Sequence, residues 1–345
     1  MHKGIFSIPV YKANEPMFKI FDEVTSQVIN ADKWGVNEAF FGEHITDKHE
    51  KITSSLLMVS SLAKLTNKIK LGTLTTNLNF YKPAISAAMI SMADNLTKGR
   101  LMLGIGSGAN MSDIESVDLA KENNHALTLE SEQIIQKLLS SDDKIDIASK
   151  NFRISTKEFG DKELGLGYFN RLYNNRDNLE IIMPALNKNS YNVKLCAKNK
   201  WTIVISNFCS EEIIDDHINN YLKNSPLNED EAYKKIKLSK LIFANKQKDK
   251  GIDLLLSKKS PFMEVVDIIF RKLKKFNRHS CFGDKIEDSY TACKKTVLFG
   301  SPEDLSNEIN KKYKKLSSIV YVLVPLTGDK NFDNSFELFS KDVSI

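Results

Sequence analysis

The chain reads as an α/β protein, a (β/α)8 TIM barrel with insertions, on three observations. Short β-branched apolar runs alternate with amphipathic stretches of helical period, the order that yields a parallel sheet with right-handed crossovers. About eight such runs occur over 345 residues, which suits a closed barrel better than an open doubly wound sheet. No linker rich in Pro, Gly or Ser divides the chain, so residues 1–345 are expected to form a single barrel domain. Insertions are expected near 107–125, 155–178 and 277–299.

Gly4–Pro9 is a short apolar run closed by proline and reads as the first strand. From Asn14 to Trp34, Phe18, Phe21, Val24, Val28 and Ala31 recur three and four apart, an amphipathic helix stopped by Gly35. Val36–Phe41 is the second strand. Thr53, Ser54 and Ser55 cap a helix expected to run to about Thr66. Ile69–Leu78 is a third strand broken by Gly72, and Pro83 opens the helix Ala84–Leu96. Leu101–Ile105 is the fourth strand.

The alternation then loosens. Leu127–Leu139 is a helix signalled by Asn123, Asn124 and His125, and Ile145–Ile154 suits a hairpin. Strands follow at Leu179–Pro184, Trp201–Ser206, Ile236–Ala244 and Ser318–Pro325. Helices are expected at Lys188–Asn199, Cys209–Leu222, Pro261–Phe276, Pro302–Lys315 and Phe332–Phe339. Ser301-Pro302-Glu303-Asp304 places acids at the positive end of its helix.

Composition narrows the function. With 41% hydrophobic and 27% charged residues the chain can bury a large core. Its net charge of +5 is small and spread out, as solvated helix faces are, which argues against a nucleic-acid surface. The four cysteines form no CxxC pair, so neither a metal nor a disulfide framework is expected, and a reducing cytoplasm is the simplest setting. No apolar run has the length of a membrane span, and the first residues read as a strand rather than a leader.

Two motifs carry chemistry. Glu43 and His44 sit just past the second strand, and Gly104-Ile105-Gly106-Ser107-Gly108 closes the fourth. Barrel enzymes present their chemistry from the carboxyl ends of their strands, so both would face one pocket. The glycine spacing is not G-x-G-x-x-G and no helix is expected immediately after it, which weakens a dinucleotide reading. Two readings stay open: a side-chain-free floor that a planar ligand approaches, or a bend. His44 is a candidate general base or hydrogen-bond donor. His49, His125, His217 and His279 show no ligand spacing among themselves, and no metal is expected.

In Phe40-Phe41-Gly42-Glu43-His44, Ile69-x-Leu71-Gly72-Thr73, Lys82-Pro83 and Asp94-x-x-x-Lys98-Gly99-Arg100-Leu101-x-Leu103-Gly104-Ile105-Gly106-Ser107-Gly108, the sequence resembles the bacterial luciferase-like family of flavin-dependent monooxygenases. Leu298-Phe299-Gly300-Ser301-Pro302 echoes the family later; from about 109 to 290 only the layout matches. The resemblance implies a two-component enzyme that takes reduced FMN from a separate NAD(P)H:flavin reductase. It then oxygenates a small organic substrate with O2 through a flavin C4a-(hydro)peroxide. His44 is implied as the catalytic histidine, with Glu43 at the flavin edge. Leu74 and Thr75 fall where a non-proline cis peptide underlies the flavin, Gly106, Ser107 and Gly108 skirt it, and His125 meets its phosphate. A homodimer, or a heterodimer with a related subunit, is implied through the helices after strands two and three, and 277–299 occupies the place of a mobile active-site loop. Gly106 stands where light-emitting members carry a reactive cysteine, Ser107 and His125 where the luciferase catalytic subunit carries arginines, and Pro184-Ala185 where an acid–serine pair holds phosphate. Two other readings remain: a relative using deazaflavin F420, and a non-catalytic flavin-binding or partner subunit.

Overall fold

The computed structural model describes residues 1–7, 10–176, 178–246, 248–283 and 285–345, with main chain alone at 248–250. Its strands are β1 (His2–Ser7), β2 (Glu38–Phe41), β3 (Lys70–Thr73), β4 (Thr76–Asn77), β5 (Leu101–Gly106), β6 (Asp146–Ala148), β7 (Arg153–Ser155), β8 (Glu180–Ala185), β9 (Thr202–Ile205), β10 (Ile236–Lys240), β11 (Ile242–Ala244), β12 (Leu298–Gly300) and β13 (Ser318–Val322). The fold class is the expected (β/α)8 barrel of parallel strands. Of the run Gly4–Pro9, Ile8 and Pro9 lie outside the described residues. Packing divides the chain into two compact units: Met1–Phe40 with Lys48–Lys51 and Ile182–Ile345, and Phe41–Asp47 with Ile52–Ile181.

In the first unit β1, β13, β10, β9 and β8 pair in parallel, in register His2↔Ser318, Leu238↔Ile319, Ile236↔Ile203 and Ile182↔Thr202. Ile5, Ile319, Leu238 and Ile203 are fully buried, as β-branched and branched residues on both faces of a covered parallel sheet should be. Glu38 is also buried. Its carboxylate accepts from Lys237 Nζ at 2.6 Å and from Ser318 Oγ at 2.6 Å. A Cβ on Gly4 would come within 2.9 Å of the Glu38 side chain, so the bare glycine makes room for this pair.

The helix Met17–Lys33 buries Val24, Val28 and Ala31 of the predicted stripe, but its first turns bring Ile20 inward instead, leaving Phe18 exposed and Phe21 half-buried. Ile236–Ala244 is interrupted at Leu241: β10 stays in the main sheet, whereas β11 pairs separately with β12. The stretch 277–299 is built rather than a bare loop. Among its described residues are a 3-10 turn, His279–Phe282, and a helix, Ser289–Thr296, capped by Asp288.

In the second unit β5 pairs with both β3 and β4, in register Leu71↔Leu101 and Thr76↔Ile105. The third strand breaks at Leu74–Thr75, not at Gly72, which remains within β3. The Leu74–Thr75 peptide is cis, as the resemblance implied. The helix after β2 is shorter than expected, Ser55–Leu62, with Ser54 as its cap. Pro83 opens Pro83–Leu96 at the first turn, and Asn123 caps Asn124–Ser140 by accepting from Ala126 N. Asp94, fully buried, accepts from Tyr173 N at 2.9 Å and Arg176 Nε at 3.1 Å. The acid of the Asp94–Leu103 motif therefore ties the segment around 173–176 to helix Pro83–Leu96. β6 and β7 form the expected hairpin.

Candidate active site

The site builds outward from the end of β2, and every residue in it belongs to the second unit. Glu43 is buried, and its oxygens are taken by the chain. Oε2 accepts from Ser55 N at 2.9 Å and Ser55 Oγ at 2.7 Å, and Oε1 from Asn77 N at 2.8 Å. One carboxylate thus ties together the end of β2, the first turn of helix Ser55–Leu62 and β4. Burial pushes the Glu43 carboxyl up, against the pull of those three bonds.

His44 points its Nδ1 at Asp113, with Nδ1 to Oδ2 at 2.9 Å. Asp113 lies in a short helix, Met111–Ser116, that begins three residues after the glycine turn, where the sequence reading expected none. Its Oδ1 accepts from Ile45 N at 3.1 Å, Thr46 N at 2.8 Å and Thr46 Oγ1 at 2.6 Å. The side chains of His44 and Asp113 are 11% and 1% exposed. Burial opposes ionisation of Asp113, yet the bonds from His44 and Thr46 together outweigh it and hold the carboxyl below its usual range. An ionised Asp113 requires a hydrogen on Nδ1, so the network assigns the Nδ1–H tautomer and leaves Nε2 as the basic nitrogen. Asn110 Nδ2 lies 3.0 Å from the same Nδ1 and 3.2 Å from Asp47 Oδ2. Since Nδ1 donates to Asp113, the amide hydrogen of Asn110 belongs to Asp47.

The glycine turn has a physical reason the sequence did not disclose. A Cβ on Gly104 would fall 1.9 Å from the Thr73 carbonyl oxygen, and one on Gly106 would fall 2.1 Å from Thr75 Oγ1. Neighbouring chain fills the room that a missing side chain leaves there. Gly108 adopts φ +90, and its N–H donates to Asn77 Oδ1 at 3.0 Å. Asn79 Nδ2 donates to the Ser107 carbonyl at 3.2 Å and to Asn124 Oδ1 at 2.8 Å, while Thr128 Oγ1 reaches the Gly106 carbonyl at 3.3 Å. The turn is thereby locked to the start of helix Asn124–Ser140. Thr75, Ser107 and Gly108 remain half-buried and Leu74 is buried.

His125 is the second residue of that helix, and burial pushes its imidazole down, toward the neutral form. Other candidates fall elsewhere. His49 Nδ1 is 2.7 Å from the Tyr11 carbonyl in the first unit. Cys281 and Cys293 are buried with thiols pushed up to about 12, so neither offers a reactive thiolate. Among the described residues no cluster of His, Cys, Asp and Glu has the makings of a metal site, and no helix is long and apolar enough to cross a membrane. Sequence reasoning placed Glu43 and His44 together but missed Asp113, Asn110, Asn79 and Asn124. The available signal was Asn110-Met111-Ser112-Asp113, an Asx residue followed by an acid in a first helical turn.

The family model of luciferase-like monooxygenases matches residues 5–159. 4-Hydroxyprotoasukamycin monooxygenase of Streptomyces nodosus subsp. asukaensis is 32% identical over 114 residues, 33% of this chain and 31% of its own length. 2,5-Diketocamphane 1,2-monooxygenase 1 of Pseudomonas putida is 23% identical, over 63% of this chain and 60% of its own. The chain thus spans about a third of the first relative and less than two thirds of the second. Among solved structures, the oxygenating constituent of 3,6-diketocamphane monooxygenase from Pseudomonas putida, a type II Baeyer-Villiger monooxygenase in complex with FMN, has a TM-score of 0.87. It is 18% identical and covers 99% of this chain and 98% of that one. An F420-dependent secondary alcohol dehydrogenase in complex with an F420-acetone adduct has a TM-score of 0.69 at 13% identity, with coverage of 99% and 98%. These two structures share the fold.

Proposed function

With residues 5–159 carrying the luciferase-like monooxygenase pattern, we propose that the protein is the oxygenase component of a two-component flavin monooxygenase, using reduced FMN from a separate reductase and O2. The single observation that carries this reading is the His44–Asp113 pair, set at the end of β2 in the same unit as the glycine turn. The residues present fit a flavin. Half-buried Thr75, Ser107 and Gly108 offer small, partly open chain for a planar ring, while the inward polar atoms of the turn already have partners. FMN, when bound in its reduced form, supplies the electrons that activate O2.

The chain's own residues do the rest. Half-buried Thr75, Ser107 and Gly108 seat the ring, with Leu74 and Gly106 packed behind them, and His125 meets the phosphate as a neutral hydrogen-bond donor at a helix start. His44 Nε2 takes up or returns a proton, Asp113 holds the imidazole's tautomer and orientation, and Glu43 sets the geometry of the strand ends. Leu57, Ile85 and Met92, exposed at 72%, 55% and 65%, lie on helices Ser55–Leu62 and Pro83–Leu96, and we assign a dimer contact to these helices.

Turnover with a flavin reductase, NAD(P)H, FMN and O2 tests the reading, starting from the bicyclic diketones in the relatives' names. His44→Ala should sharply lower product formation while flavin still binds; product formation unchanged by that substitution removes His44 from the mechanism. An F420-dependent dehydrogenase with the same fold motivates the second reading. Hydride transfer from reduced F420, with no dependence on O2, would favour it.

A further inference from the structure

The insertion between helix Asn124–Ser140 and β8, all of it in the second unit, is built as an ordered tongue. β6 and β7 pair as a hairpin, and the chain beyond folds back onto it. Thr156 Oγ1 donates to the Gly167 carbonyl at 2.8 Å and accepts from Ile145 N at 2.9 Å. Asp161 and Leu166 exchange main-chain bonds at 2.9 and 2.7 Å, and Asp161 Oδ1 accepts from Leu164 N at 3.0 Å, which closes the tip. At that tip Phe159, Leu164 and Leu166 are 84%, 73% and 51% exposed.

Ordering such a segment costs conformational entropy, and its three large apolar side chains recover little of that by burial within their own unit. A surface that closes against another apolar surface needs both the order and the side chains. A second copy of this chain fits as that cover on three grounds. Ser91 Oγ and Asn95 Nδ2 donate to the Arg171 carbonyl at 2.9 and 3.0 Å, so the tongue is rooted on helix Pro83–Leu96, which also carries exposed Ile85 and Met92. Leu57, Ile85 and Met92 alone fall far short of the roughly 800 Å2 that each partner of a stable dimer contributes, and the tongue enlarges the apolar area. Finally, exposed Lys157, Glu158, Asp161, Lys162 and Glu163 mix both signs of charge around the tip. A rim of mixed sign complements itself across a two-fold axis, as an isologous contact requires, and gives no preference to a partner of one sign.

We propose that the tongue, residues 145–167, is a dimerisation arm whose apolar tip packs on a second copy of this chain. The proposal rests on the dimer contact assigned above to helices Ser55–Leu62 and Pro83–Leu96 and extends it from a helix ridge to an arm.

Sedimentation equilibrium of the full chain tests it, on wild type and on the double substitution Phe159→Ser with Leu164→Ser, while Met92→Ser reports the helix contact separately. These positions are exposed, so circular dichroism should be unchanged in each variant. A wild-type dimer is expected, with its dissociation constant raised at least about tenfold by the tongue substitutions. Leu164→Cys gives a second readout, because the four native cysteines are all buried. A benzophenone maleimide on the new thiol should crosslink two copies on irradiation. A dimer whose dissociation is untouched by the tongue substitutions would overturn the arm and leave the helix contact standing. So would a label that crosslinks to an added flavin reductase and never to a second copy. A wild type that stays monomeric would sink the helix contact and the arm together.

Discussion

Glu43 and Asp113 are both buried carboxylates in the same unit, and they are used in opposite ways. Glu43 receives three donors, all from Ser55 and Asn77 of the chain. Asp113 gathers Ile45 and Thr46 on one oxygen and keeps the other for the imidazole of His44. Burial wins at Glu43 and raises its carboxyl, whereas the bonds win at Asp113 and lower it. The difference separates architecture from chemistry: an acid whose bonds all go to the chain fixes positions, and one that holds a titratable ring fixes a proton. Glu132 is a third case, a buried acid with one bond and no assigned task in turnover.

The largest effect expected from breaking this contrast is at His44 itself. His44→Ala should lower product formation by about 10²–10⁴-fold, the range for losing a general acid–base group. Next is Glu132. Its carboxyl titrates near 4.5 unfolded and about 7 folded, so the folded state binds the proton more tightly. Its effect on stability is nil below the unfolded value, grows unfavourable as pH rises from about 4.5 to 7, and is complete above 7. The full cost is on the order of 3 kcal/mol at most. Denaturant unfolding of the wild type and Glu132→Gln should diverge at pH 8, with the variant more stable, and converge toward pH 5.

Asp113→Asn should cost about 10–100-fold in turnover, as loss of an orienting partner does. It should also move the acid limb of the pH–rate profile to lower pH, because an anion that favoured the imidazolium is gone; a profile that stays put would make Asp113 a purely structural residue. Glu43→Gln completes the contrast. It should lower stability by about 1 kcal/mol, read as a shift in denaturation midpoint, while turnover per folded molecule is retained.

The barrel was legible because its signals are periodic and local: β-branched runs, amphipathic stripes, and punctuation by Pro83, Gly35 and Ser301. Glu43 and His44 were legible as a pair at a strand end. Asp113 was not, since it meets His44 only through the fold, across 69 positions of chain, and its helix is too short for periodicity to reveal. The break at Leu74–Thr75 was misplaced to Gly72 for a related reason. Gly72 looks like a breaker in a strand, but the need for glycine lies on the neighbouring strand, at Gly104 and Gly106, where Thr73 and Thr75 come too close for a Cβ. Asn79 gave no signal at all, and Asn124 was legible only as a helix-start residue, because a surface-type residue gives no hint that it will lock a turn to a helix start.

The account stands or falls on whether this chain seats a reduced flavin beside His44. An anaerobic titration with reduced FMN, followed by flavin fluorescence on wild type and His44→Ala, measures that most directly. Saturable one-to-one binding by both proteins, with turnover on admitting O2 and substrate only in the wild type, is the predicted result. A wild-type chain that leaves reduced FMN unbound, or takes up reduced F420 in its place, would contradict it.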